Sequence, residues 1–204
     1  MVESGIRDDS RRRLRVSVTT SGSGEISGNV FTENGRSIIH RGTSNTVLRD
    51  NVAIGNTNNP ILYCATINSP QEWLRDIPRE IDCRVQMTTS SLKLQPGLVL
   101  LFGSSKEMVI DAGTLEAQGV IFTSNLPDAK PDSWSGVTIG TGASGAIRNS
   151  WMSFGGRSSE GVLDVITSKT FAVENNTFAR INKYAVSNRR EGTVSIQGNL
   201  FRGI

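Results

Sequence analysis

The six-residue phrase VENNTF at residues 173–178 returns as IQGNLF at residues 196–201, and this return decides the fold. Three further copies read ISGNVF (26–31), LRDNVA (48–53) and IRNSWM (147–152). Aligned on their fourth residue, neighbouring copies lie 22, 26 and 23 residues apart. A period in this range indicates a repeat architecture, and it is too short for helix-pair repeats, which need about 33 residues or more. The remaining solution is a stack of β coils.

The residues inside each copy alternate as they would in a strand. The first, third and sixth positions are apolar or small, as in Ile26, Gly28 and Phe31, and the second is often charged. This alternation, broken after the third position, is typical of two short strands joined by a bend.

The fourth position of the phrase carries a recurring amide. It holds Asn29, Asn51, Asn176 and Asn199, with Ser150 in the remaining copy. Asn is the non-glycine residue that best tolerates a left-handed conformation, so we predict that the fourth residue occupies the bend in that conformation. Stacked, in-register Asn side chains can also hydrogen-bond from coil to coil, which predicts a buried ladder.

These repeats resemble those of the right-handed parallel β-helix proteins of the pectin-lyase-like superfamily. The middle of the chain adds to the likeness, because it looks like the recurrent module of bacterial surface and secreted members: LKLQPGLVLLF (92–102), IDAGTLEAQG (110–119), IFTS (121–124) and WSGVTI (134–139). The resemblance implies an all-β, single-stranded right-handed parallel β-helix. At about 22 residues per coil, 204 residues correspond to roughly nine coils. The matching residues are scaffold residues, so they specify the fold and not an activity.

The chain divides where the repeat is interrupted. Residues 1–20 are predicted to be a charged, poorly ordered lead-in, with a possible entering strand at 14–18. The β-helix is predicted over residues 21–204, with an interruption at 68–80. In that interruption Ser69 can cap a helix, Pro70 suits its first position and Pro78 would end it, which predicts one short helix.

Composition excludes several classes of protein. The net charge of +3 is too small to indicate a nucleic-acid partner, and no stretch approaches the roughly 20 apolar residues that span a bilayer. Residues 1–20 contain no apolar signal core. The resemblance implies an extracellular or cell-surface protein, which would need such a signal. Two explanations remain: the chain is a piece of a longer protein, or it is a short cytoplasmic protein. The lack of a polar cap after the last phrase favours missing adjoining coils or domains.

Nucleophilic and metal chemistry find little support in the residues. The single histidine, His40, lies in SIIHRGTS, and no nucleophile elbow accompanies it. Cys64 and Cys83 lie 19 residues apart, close to one coil. A buried free thiol is expected at Cys83, and a disulfide with Cys64 is the alternative in an oxidising compartment. A zinc site from these three residues lacks a fourth ligand.

Carboxylate pairs are the remaining candidates for catalysis, because enzymes with this fold cleave polysaccharides by elimination or hydrolysis. The pairs that sequence proximity suggests are Asp128 with Asp132, Asp111 with Glu116, and Asp164 with Glu174. None of them matches a lyase or hydrolase signature, and surface charge on strands explains all of them. We therefore assign no catalytic residue, no metal ligand and no cofactor.

Three residues are candidates for substrate binding. Trp151 holds the fifth position of its phrase, which should point outward because the sixth points inward. An outward indole can stack on a sugar ring, although it could instead pack under a loop or an adjoining domain. Asp128 and Asp132 lie in NLPDAKPDS (125–133), the longest polar loop, where repeat proteins place binding contacts.

The function predicted from the sequence is that of a noncatalytic β-helix segment of a surface or secreted protein, with a polysaccharide or a protein as its partner. The alternative is a fragment of a carbohydrate-active enzyme, either a polysaccharide lyase or a glycoside hydrolase. The two differ in whether ionisable side chains converge in a groove on one sheet.

Overall fold

The computed structural model describes residues 16–18, 23–42, 45–157 and 160–203. These residues form the strands β1 (Val16–Val18), β2 (Ser23–Ser27), β3 (Val30–Thr32), β4 (Ile38–Gly42), β5 (Asn45–Arg49), β6 (Val52–Ile54), β7 (Ile61–Ile67), β8 (Gln71–Trp73), β9 (Arg79–Ile81), β10 (Val85–Met87), β11 (Ser90–Leu94), β12 (Val99–Phe102), β13 (Glu107–Gln118), β14 (Ile121–Ser124), β15 (Gly136–Arg148), β16 (Trp151–Ser153), β17 (Leu163–Val165), β18 (Phe171–Glu174), β19 (Thr177–Ala179), β20 (Val186–Asn188), β21 (Val194–Gln197) and β22 (Leu200–Arg202). All pairings between them are parallel, and no helix is present in the described part of the chain. No segment there is a helix that could cross a membrane.

The strands stack into a solenoid with three long faces. Face 1 consists of the nine strands β1, β4, β7, β9, β12, β14, β16, β19 and β22, each paired with the next. Nine stacked strands enclose about eight turns, close to the roughly nine coils predicted. The predicted all-β parallel β-helix is therefore confirmed, while its hand stays a prediction. Of the entering strand predicted at 14–18, residues 16–18 form β1, and the rest of the lead-in lies outside the described residues.

Two further faces complete each turn. Face 2 contains β10, the first halves of β13 and β15, β17 and β20. Face 3 contains β8, β11, the second halves of β13 and β15, β18 and β21. Near the start of the chain, the described residues show β2 paired with β5 alone and β3 paired with β6 alone. The first turns therefore have their own small sheets.

Alternation along face 1 sorts side chains into the interior and the exterior. Leu100, Phe122, Met152 and Phe178 occupy one register and are fully buried. Such continuous apolar columns supply the burial that stabilises a solenoid. The residues directly before these in each strand point to the exterior, and Trp151 is one of them.

The residue in the left-handed conformation is the third of each phrase and not the fourth. Its φ is +64° at Gly28, +56° at Asp50, +50° at Asn149, +56° at Asn175 and +64° at Gly198. The prediction that the fourth-position Asn makes the bend is therefore wrong. Gly, Asn and Asp tolerate this φ best, which explains why the third position is small or polar.

The fourth-position side chains form the predicted ladder. Oδ1 of Asn51 accepts the backbone N–H of Asn29 at 3.2 Å, and Oδ1 of Asn176 accepts that of Ser150 at 2.9 Å. The Oγ of Ser150 continues the ladder by accepting the N–H of Val120 at 3.1 Å. Asn51 and Asn176 are buried, whereas Asn29, in the first copy of the phrase, is exposed. These bonds satisfy the backbone donors that the bend removes from the strand pairing.

A second amide ladder occurs one corner later in the first turns. Oδ1 of Asn56 accepts the backbone N–H of Asn34 at 2.8 Å, and its Nδ2 donates to the carbonyl of Phe31 at 2.8 Å. The spacing of 22 residues matches the period of the phrase. This ladder was not predicted, because the two residues lie outside the six-residue phrase.

The stretch predicted as a short helix is extended instead. Residues 71–73 form β8, which places Trp73 opposite Leu94 of β11, and residues 79–81 form β9 on face 1. The helix prediction is wrong because strand pairing and burial of Trp73, which is 3% exposed, outweigh the local signals of Ser69 and Pro70.

Cys64 and Cys83 form a disulfide, with Cα atoms 5.3 Å apart. The free thiol expected at Cys83 is therefore wrong. Tyr63 on β7 lies opposite Ile81 on β9, so the parallel strands bring the two cysteines, just beyond that pair, into the range a disulfide requires. The bond closes a loop that contains all of β8 and β9.

The apolar interior is divided in two. A small cluster of Phe31, Ile38, Leu48, Ile61 and Ile77 fills the first turns, and a larger cluster begins at Tyr63 and continues to the last turns. In the inward register of face 1, Arg79 stands between Ile61 and Leu100. A buried arginine therefore interrupts an otherwise apolar column close to where the two clusters meet.

Candidate binding sites

Trp151 lies on the outer surface of face 1. It begins β16, where Ile121 of β14 and Thr177 of β19 are its neighbours in register, and its side chain is 40% exposed. Leu200, the next residue in this row, is also exposed. The row is a flat, largely apolar strip. An aromatic ring in such a setting can stack on another ring, but its role in binding sugar stays a prediction.

The two predicted aspartates lie toward the other end of the same strands. β14 ends at Ser124, and the loop that follows carries Asp128, which is exposed, and Asp132, which is half-buried. Oδ2 of Asp132 accepts a hydrogen bond from Nδ2 of Asn182 at 2.6 Å. Asp132 is thereby joined to a later turn, while Trp151 sits at the start of β16. Their shared role in binding stays a prediction.

Acidic side chains on faces 2 and 3 accept hydrogen bonds from arginine side chains of neighbouring turns. Asp164 accepts two hydrogen bonds from Arg189, at 2.6 and 3.1 Å, and Glu174 accepts one from Arg148 at 2.8 Å. The bond from Arg148 lowers the pKa of Glu174, and the bond to Asp164 raises the pKa of Arg189. Such pairs join strands across the stack. Among the described residues, no three His, Cys, Asp or Glu side chains are grouped as a metal site requires.

A cavity of about 180 Å³ opens between β5 and β8. β5 pairs with β2 on one side, and β8 pairs with β11, but the described residues show no strand pairing between β5 and β8. The wall of the solenoid therefore has a seam at this point. Trp73, Tyr63 and Leu48 give the cavity apolar walls, and Gln71 and Arg79 contribute polar ones.

Arg79 is the most unusual residue of the cavity. Its side chain is 1% exposed, its Nη1 donates to the carbonyl of Leu74 at 3.0 Å, and its guanidinium carbon lies 4.9 Å from the centre of the Trp73 ring. Its Nε has no hydrogen-bond partner in the part of the chain that the structure describes. Burial lowers the pKa of Arg79 to about 10, although nearby Asp76 opposes that shift, so the side chain is cationic at neutral pH.

The side-chain amide of Gln71 is held in one orientation. Its Oε1 accepts hydrogen bonds from Nε1 of Trp73 at 2.8 Å and from the hydroxyl of Tyr63 at 3.3 Å. The indole N–H can only donate, so the atom it meets must be the amide oxygen. Nε2 of Gln71 is consequently a donor, and it is buried without a partner among the described residues.

His40 and Tyr63 stack beside the cavity. Their ring centres lie 4.7 Å apart and the planes differ by 4°, and Tyr63 meets Trp73 edge-on at 4.5 Å. Burial, and then repulsion from Arg79, lower the pKa of His40 to about 4. Burial also raises the pKa of Tyr63 well above its usual value. Both side chains are therefore neutral near pH 7.

The repeat pattern of the sequence does not predict this cavity. Arg79 and Gln71 lie in the stretch treated as an interruption, where the register of the coils could not be followed. One feature of the sequence does indicate another coil here. The tripeptide LRD at 48–50, which opens one copy of the phrase, recurs at 74–76.

Comparison of the chain with protein-family models, with curated proteins and with solved structures found no match. The resemblance to the pectin-lyase-like superfamily therefore stays a prediction.

Proposed function

We propose that this chain is a noncatalytic segment of a surface or secreted β-helix protein of the pectin-lyase-like type, and that it binds polysaccharide on the outer surface of face 1. The observation that carries the proposal is the 40% exposure of Trp151 in a flat row between Ile121 and Thr177. Parallel strands present this row as a regular surface along which a sugar chain can lie. The indole supplies the stacking contact.

Two observations support the rest of the proposal. The disulfide between Cys64 and Cys83 is of a kind that persists in oxidising compartments, which favours export. The carboxylates of Asp164 and Glu174 accept hydrogen bonds from Arg189, which follows β20, and from Arg148 of β15, which favours a structural role for these acids over a catalytic one.

Binding of the protein to a panel of acidic and neutral polysaccharides tests the proposal. For a polysaccharide that binds, Trp151→Ala should weaken the affinity by about tenfold, the loss of about 1.4 kcal/mol of contact energy. Tyr184→Ala is the matched control, because Tyr184 is 63% exposed but lies outside the strands of face 1. The affinity of Tyr184→Ala for the polysaccharide should stay within about twofold of the affinity of the unmodified protein.

Two outcomes would contradict the proposal. If Trp151→Ala and Tyr184→Ala weaken the affinity for the polysaccharide equally, face 1 is not the binding surface. Release of reducing or unsaturated ends from any polysaccharide, above a boiled control and with or without calcium, would show catalysis and replace the noncatalytic role with that of a lyase or hydrolase.

A further inference from the structure

The cavity at the seam between β5 and β8 is separate from the surface around Trp151. The seam borders face 3, and Arg79 reaches it from the interior of the solenoid. Two donors at this cavity, Nε of Arg79 and Nε2 of Gln71, are buried without a partner. Buried donors are rarely left unsatisfied, because each one costs about 1–3 kcal/mol. Both unsatisfied groups are donors, so the missing partner is an acceptor.

The charges around the cavity define the acceptor further. The charged residues that line it are Arg49, Glu72 and Arg79. Arg49 is paired with Glu25 at 2.7 Å, and Glu72 is paired with Lys93 at 2.7 Å. Arg79 forms no ion pair with the described carboxylates, and its nearest partners are the carbonyl of Leu74 and the face of Trp73. Asp76 is close enough to raise the pKa of Arg79 but forms no hydrogen bond with it among the described residues, so a buried guanidinium without an ion-pair partner favours an anionic ligand.

The shape and walls of the cavity limit the size of that ligand. A volume of about 180 Å³ holds more than one water molecule and is smaller than the roughly 300–1,000 Å³ of pockets for drug-sized molecules. Trp73 and Tyr63 also line the cavity, with only 3% and 2% of their surface exposed, so they limit the ligand to a small apolar body. Two N–H donors suit the two oxygens of a carboxylate.

We propose that this cavity binds a small monocarboxylate, either a short aliphatic acid or a single-ring acid. Arg79 and Gln71 bind the carboxylate, and Trp73 and Tyr63 pack against the body of the acid. The disulfide between Cys64 and Cys83 stabilises the site, because the loop that it closes contains Gln71, Trp73 and Arg79. Tyr63 directly precedes that loop.

Titration of the ¹⁵N-labelled protein with sodium benzoate and sodium acetate tests this proposal. The indole N–H signal of Trp73, assigned by its loss in Trp73→Phe, should shift saturably with benzoate, while those of Trp134 and Trp151 stay in place. Benzyl alcohol has the same ring without the charge and should leave the Trp73 signal unchanged. Acetate should compete with benzoate.

Variants distinguish binding by Arg79 from a general effect on the fold. Arg79→Leu should weaken benzoate binding at least tenfold, and it should fold because Ile61 and Leu100 are its apolar neighbours in register. Gln71→Met removes the amide donor, and it replaces Arg79→Leu as the test variant if Arg79→Leu does not fold. Arg84→Leu is the matched control, since Arg84 is exposed and does not line the cavity.

Three results would overturn the proposal. Absence of any saturable shift with benzoate and acetate would show that the cavity holds water and does not bind a carboxylate. Equal affinity for benzoate and benzyl alcohol would make it an apolar cavity. Unchanged benzoate affinity in folded Arg79→Leu would show that the guanidinium does not bind the carboxylate.

Discussion

Asn199 accepts two hydrogen bonds from Asn176, the residue one turn earlier in the stack. Its Oδ1 lies 2.9 Å from the backbone nitrogen and 3.1 Å from Nδ2 of Asn176. Nδ2 of Asn176 also donates to the carbonyl of Ile147 at 2.8 Å, and its Oδ1 accepts the N–H of Ser150. The side chain of Asn176 thus bonds to the turn before it and to the turn after it. This arrangement makes successive turns depend on one another.

Replacement of Asn176 by Ala should lower the free energy of unfolding by about 3 kcal/mol, because the N–H of Ser150 and the carbonyl of Ile147 lose their partners in a buried setting. Urea unfolding followed by circular dichroism measures this change. Asn175→Gly is the matched control, since Asn175 is exposed with a φ of +56° that glycine also adopts. It should change the unfolding free energy by less than about 0.5 kcal/mol. Equal effects of the two variants would contradict the ladder's role.

Gly145 lies where β15 passes close to β13. Its φ is +122°, and a Cβ added there would lie 2.0 Å from the carbonyl oxygen of Leu115, a backbone atom that cannot move away alone. Gly145→Ala should therefore destabilise the protein by about 3 kcal/mol or more. Gly35→Ala is the control, because its added Cβ meets nothing within 4 Å. Thermal unfolding measures both, and an unchanged melting temperature for Gly145→Ala would contradict the packing at this position.

The sequence predicted the fold because the evidence for it is local and periodic. Phe178 and Phe201 are equivalent in two copies of one phrase, and they are in register in the structure, with ring centres 5.5 Å apart. The ladder of Asn51 and Asn176 followed from the same period. The φ of the bend was assigned to the wrong residue, because Asn suits both a left-handed bend and a buried hydrogen bond, and the pattern does not separate the two uses.

The cavity could not be predicted in the same way. Arg79 is buried because β9 is in register with β7 and β12, a relationship that depends on turns of unequal length. The 18 residues from Ile61 to Arg79 form a shorter turn than the 22 from Phe31 to Ala53. A pattern search at a fixed period misses such a turn, and it therefore left the pairing of Cys64 with Cys83 as the alternative to a free thiol.

The disulfide should contribute about 3 kcal/mol to stability, as expected for a closed loop of 19 residues, chiefly by restricting the unfolded chain. Reduction with dithiothreitol should lower the urea midpoint by a corresponding amount. The double variant Cys64→Ala with Cys83→Ala should show the lower midpoint with or without the reductant. A midpoint of the unmodified protein that does not respond to complete reduction, checked by thiol counting, would contradict this prediction.

His40 should make stability depend on pH above the range in which carboxylates titrate. Its pKa is lowered to about 4 by burial and by Arg79, so the unfolded chain, with a His pKa of 6.5, binds the proton more readily. Stability contributed by neutral His40 is therefore present above pH 6.5 and is lost as the pH falls toward 4. Between pH 7 and pH 5 the loss should be about 2 kcal/mol.

The comparison with His40→Phe isolates this effect, because phenylalanine keeps the stacking surface against Tyr63 and does not titrate. Hydrogen bonds from partner side chains lower the pKa values of Glu25, Glu72 and Glu174 below 4.5, so their contributions change only at lower pH. Urea unfolding of His40→Phe should consequently give nearly equal free energies at pH 7 and pH 5. If the variant loses as much stability as the unmodified protein over this interval, the proton is taken up elsewhere and the buried, neutral state of His40 is not its cause.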